Sequence, residues 1–111
     1  MTIEQTLLEE IEESKRWIDT ADGVYKRDLI KRIELVNWVL ETMKNPGNNI
    51  CEIMESKMNN IILEINQTHD IIEADKLHSE LGILDWTFYQ VCKDQQKKLV
   101  AKLGNTVEII E

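Results

Sequence analysis

Glycine and proline are scarce: four and one in 111 residues. A β-sandwich or barrel needs turn residues roughly every 8 to 12 positions, so this chain is not built that way. It also lacks an apolar run of about 18 residues, which excludes a membrane-spanning helix. There is no Gly-rich phosphate loop and no GxSxG nucleophile motif. Aromatic residues make up 5% of the chain, too few and too scattered to interleave with its lysines as nucleic-acid binders do. Only two cysteines occur, Cys51 and Cys92, without CxxC spacing. Their scarcity predicts a reduced, buried, cytoplasmic pair rather than a disulfide framework or a redox motif. The acidic opening, which begins with a helix cap, predicts no signal or transit peptide.

What is present is acid and helix. The net charge is −8, which favours solubility and opposes general nucleic-acid affinity. The acid is unevenly placed: residues 1–20 carry a net −4 and residues 21–47 a net +1. Leu, Ile, Glu, Lys, Met and Gln dominate, and all of them favour helix. A chain of this length forms one domain that buries roughly two-thirds of its unfolded surface.

Four helices follow from the spacing. Thr2 and Gln5 make a capping box ahead of Ile3, Leu7, Leu8, Ile11 and Ile18. Thr20–Gly23 is a connector with two candidate N-caps. It leads to a second helix over about 24–44, with Leu29, Ile33, Val36, Leu40 and Met43 as its stripe. The run Asn45-Pro46-Gly47 breaks the chain. Asn49 and Glu52 then cap a third helix carrying Ile50, Ile53, Met54, Met58, Ile61, Ile62 and Ile65. Asp70 and Glu73 open the fourth, where Leu77, Leu81, Leu84, Phe88 and Val91 form one stripe. Trp17 and Tyr25 flank the first connector and are expected to cover that end of the molecule.

The fourth pattern runs on from Asp70 to Leu103, with Lys97, Lys98 and Lys102 in its last turns and Gly104 just beyond. Short connectors make neighbouring helices antiparallel. The expected fold is therefore all-α: an up-down-up-down four-helix bundle over 1–104 with a long C-terminal helix, and a short tail over 105–111. At about 1.5 Å per residue the last helix is roughly 50 Å long, and residues 89–103 would extend about 20 Å past their companions. Gly82, in its middle, marks either close helix packing or a bend.

Few residues are placed for chemistry. Asp75 and His78 have the acid-x-x-His spacing of a helical metal ligand pair, but a di-iron bundle site needs two such pairs and two further Glu. His69 falls in a connector. Cys51 lies in a first helical turn, where the dipole lowers a thiol pKa, but no histidine is near it in the expected bundle. Glu52-Ile53-Met54-Glu55 precedes Glu80-Leu81-Gly82-Ile83 by 24 residues. With the run Ser79–Trp86, this spacing resembles the MazG-like nucleotide pyrophosphatases over a short part of the chain. That resemblance implies an all-helical, Mg²⁺-dependent nucleoside triphosphate hydrolase with Glu52, Glu55 and Glu80 as ligands. The chain departs from that pattern at Ile83, where the second motif has Asp.

The reading that accounts for most of these features is a small non-enzymatic protein-interaction or regulatory module, expected to act as a homodimer or on another protein. It needs no cofactor and no metal, and neither nucleic acid nor membrane as partner. Its partner-binding residues are expected on the projecting part of the fourth helix: Trp86, Tyr89, Lys97, Leu99 and Leu103. The acidic first helix of a second copy would suit the lysines.

Overall fold

A computed structural model describes residues 2–93. They form four helices: α1 (Ile3–Ile18), α2 (Gly23–Met43), α3 (Ile50–Gln67) and α4 (Ile71–Val91). No strand occurs among the described residues, and none of the helices is long and apolar enough to cross a membrane.

Local chemistry sets the starts. Thr2 Oγ1 accepts from the Gln5 N–H at 3.1 Å, and Gln5 Oε1 accepts from the Thr2 N–H at 3.0 Å, so both halves of the capping box form. Asn49 Oδ1 accepts from the Glu52 N–H at 3.3 Å. Asp70 Oδ1 accepts from the N–H groups of Ile72 and Glu73 at 2.9 and 3.4 Å. The second helix starts differently. Asp22 makes no side-chain cap, and Gly23 turns the chain into α2 at φ +58, a left-handed conformation that only glycine adopts at little cost.

One core joins all four helices. Leu7 and Ile11 from α1 meet Leu35, Val36, Val39 and Leu40 from α2, Met54 and Ile61 from α3, and Leu77, Ile83 and Leu84 from α4. α2 packs mainly on α1 and α4, and α3 mainly on α4. Several pairs fix which positions are level. Arg32 Nη1 donates to Glu10 Oε1 at 2.6 Å, tying α2 to α1. Arg27 Nη2 donates to Asp75 Oδ2 at 3.0 Å, and Lys31 Nζ lies 3.4 Å from Glu80 Oε1, tying α2 to α4.

The structure corrects four expectations. Cys51 and Cys92 are not free thiols but a disulfide, with their Cα atoms 6.0 Å apart. Trp17 and Tyr25 do not close over the end of the molecule: they are 48% and 57% exposed and line a groove between α1 and α2. Gly82 is exposed, and nothing lies within 4 Å of where its Cβ would sit, so it serves no close packing. The apolar stripes are also narrower in places than their composition implied. Ile3, Leu8 and Ile62 are 43%, 49% and 42% exposed.

The expected long helix meets a boundary at Cys92. α4 ends at Val91, and Cys92, its C-cap, sits at φ −118, ψ 33, outside the helical region. Residues 94–104, and with them the expected projecting turns, lie outside the described residues, as does the 105–111 tail.

Candidate interaction surface

The last two turns of α4 carry two of the five residues singled out for partner binding, Trp86 and Tyr89. Trp86 is part-buried and packs on the core. Thr87 is fully buried, and its Oγ1 donates to Ile83 O at 2.8 Å and so presents no unpaired hydroxyl. Tyr89 is 52% exposed, and Lys93 Nζ stands 5.8 Å from its ring centroid, within cation–π range. Cys92, 2% exposed, turns inward to Cys51 in the first turn of α3, fixing this end of α4 to its neighbour. Trp86 and Tyr89 are therefore brought together on one anchored helix end. Lys97, Leu99 and Leu103 lie outside the described residues.

The acidic residues do not converge. Glu52 and Glu55 are exposed on α3, whereas Glu80 is held by Lys31 of α2. Asp75 is taken by Arg27, and its sequence partner His78 is exposed. No group of three or more His, Cys, Asp or Glu side chains among the described residues is close enough to hold a metal ion. His69 is exposed beside the α4 cap.

Between α2 and α4 lies a cleft lined by Arg27, Asp28, Lys31, Glu73, Lys76, Ser79 and Glu80. Its charges largely cancel. Hydrogen bonds that Arg27 donates to Asp75 and then to Asp28 raise its pKa above the ordinary value. Burial pulls the Lys31 pKa down, but Glu34 and Glu80 outweigh it and the net shift is upward. Cations already matched by carboxylates do not recruit phosphate, so the cleft reads as a helix–helix seam.

Exposed apolar residues also occur where sequence reasoning did not look. Ile71 and Ile72, in the first turn of α4, are 86% and 67% exposed, and Val24 and Leu63 are more than half exposed. Part of this was readable in advance. Ile71 and Ile72 precede the stripe that begins at Leu77, although adjacency alone does not exclude burial, since Ile83 and Leu84 are adjacent and both buried.

No family model, curated protein or solved structure matches this chain. The MazG-like resemblance therefore rests on the acidic spacing and the run Ser79–Trp86 alone.

Proposed function

We propose that this protein is a small non-enzymatic helical module that self-associates as a homodimer through the end of α4. Trp86, Tyr89, Lys97, Leu99 and Leu103 form the contact. The observation that carries the reading is the exposed Tyr89 ring beside Trp86 on a helix end anchored by a disulfide. A rigid aromatic pair suits an interface centre, because it buries large area at little conformational cost, and the lysines suit its polar rim. The acidic face of α1 in the second copy supplies the opposite charge. We read the helices as an up-down-up-down antiparallel bundle. Support comes from Cys51 meeting Cys92, from Glu10 meeting Arg32, and from Arg27 and Lys31 meeting Asp75 and Glu80 in the same order.

We read the protein as cytoplasmic, on one condition. A disulfide persists in oxidising compartments and is transient or regulatory in a reducing one, so a cytoplasmic Cys51–Cys92 bond is a redox-dependent one.

Light scattering across a concentration series tests the assembly. The expected mass is twice that of the 13.0 kDa chain, with Tyr89→Glu shifting the population to single copies at unchanged helicity. A single-copy mass at all concentrations would overturn the proposal. Release of pyrophosphate from a nucleoside triphosphate with Mg²⁺, abolished by Glu80→Gln, would replace it with the hydrolase reading.

A further inference from the structure

We infer that the end of the molecule where α2 and α4 begin is a docking surface for a basic protein segment that carries apolar side chains. It lies at the opposite end of α4 from Trp86 and Tyr89, and it stands whether or not the chain self-associates. Arg27 meets Asp75, and about one turn further along both helices Lys31 meets Glu80. α2 and α4 therefore start at the same end, and the connectors 19–22 and 68–70 lead into them there.

Trp17, Val24, Tyr25, Ile71 and Ile72 are all exposed around these two starts. They are not scattered. Trp17 and Tyr25 line one groove between α1 and α2. Val24 adjoins Tyr25 in the chain, and Ile71 adjoins Ile72. The helical register joins the two pairs. Arg27 and Asp75 are 48 residues apart and in contact, and the same separation takes Val24 to Ile72. Val24 precedes Lys31, and Ile72 precedes Ser79, by about two turns, so each pair shares a face to within about 20°. Lys31 and Ser79 both line the cleft between α2 and α4, which puts Val24 and Ile72 at its mouth from opposite sides. An apolar row thus crosses this end of the molecule from α1 to α4. A contiguous exposed apolar surface with a polar border marks an interaction site.

The border decides what fits. Asp19 and Asp22 stand between Trp17 and Val24, and Asp70 and Glu73 bracket Ile71 and Ile72. None of these four carboxylates enters an ion pair among the described residues. Of the nearby cations, Lys15 is taken by Glu12, Arg16 by Glu13, and Arg27 by Asp28 and Asp75, which leaves Lys26 and Lys76. The border is net acidic. A second copy would bring the same carboxylates against it, on a chain of net charge −8. An anionic membrane surface would repel it likewise. Lysine or arginine beside apolar side chains satisfies both parts: the apolar groups cover the row, and the cations meet its rim and orient the encounter.

The test titrates the full, isotope-labelled chain with an amphipathic helical peptide of leucine and lysine and follows the backbone amide signals. Shifts should concentrate at Trp17, Val24, Tyr25, Ile71 and Ile72, and binding should weaken with added salt. Ile72→Ser should weaken it by about tenfold, with helicity unchanged because the position is exposed. A matched peptide with glutamate in place of lysine should not bind. Shifts confined to other parts of the chain, an affinity unaltered in Ile72→Ser, or no shift at all would overturn the docking surface. Equal binding of the glutamate peptide would overturn the basic partner. Shifts at the same five amides with neutral phosphatidylcholine vesicles, and none with the lysine peptide, would assign the surface to a membrane instead. Self-association is read separately by light scattering, so its failure leaves this inference standing.

Discussion

The two helical hairpins are held together by different means. α1 and α2 rely on packing: α2 buries Leu29, Leu35, Val36, Val39 and Leu40, and α1 adds Leu7, Ile11 and the small Ser14. α3 buries only Met54 and Ile61, barely touches α2, and is joined to α4 by a disulfide at its first turn. α3, which packs on α4 through Met54 and Ile61 with Ile50, Met58 and Ile65 part-buried beside them, is held by a covalent bond in addition to this packing. The lesson is that in so small a domain cross-linking supplements burial as a source of stability.

The sharpest way to break this contrast is to remove the bond. The two cysteines are 41 residues apart, so Cys51→Ser should cost about 4 kcal/mol in urea denaturation by loop-closure entropy. Amide exchange should show α3 losing protection before α1. Next in size is Met54→Ala. Met54 is fully buried, and its truncation should cost about 3 kcal/mol, with a larger loss of α3 protection in the reduced chain than in the oxidised one. A smaller effect of opposite sign is expected from Gly82→Ala. The site is an exposed helix interior with open space for a methyl group, so thermal melts should show a gain of about 1 kcal/mol.

The smallest effect sharpens the seam between the hairpins. Lys31 has its pKa raised in the folded chain, so its contribution is full below the ordinary lysine value and is lost as pH rises through the raised one. Stability measured against pH should therefore fall on the alkaline side. Lys31→Met should flatten that limb and lower stability at neutral pH by the same small amount that the parent chain loses on the alkaline side, small because the pair is partly solvated.

The local parts of this fold were legible because short-range chemistry decides them. Thr2, Asn49 and Asp70 cap where their spacing says, and Leu29, Val36 and Leu40 lie inward as their period requires. Thr87 was not legible. A hydroxyl reads as surface until its bond to the preceding turn is known. The disulfide was half legible: equal rise along a hairpin puts Cys51 and Cys92 within about a turn of one level, but not on facing sides. Compartment statistics then favoured free thiols. The end of α4 at Val91 was not legible, because no breaker residue marks it. Of the candidate surface, the pairing of Trp86 with Tyr89 came from helical spacing, whereas the anchor that fixes them came only from tertiary structure.

The bond between Cys51 and Cys92 also makes a closed ring of the chain from one cysteine to the other, with the α3–α4 connector inside it. His69 and Asp70, exposed at the tip of that connector, are where a protease would reach first. A cut there severs the backbone without releasing a fragment. The nicked protein would keep its full mass on a non-reducing gel and separate into two pieces only when a thiol reagent is added.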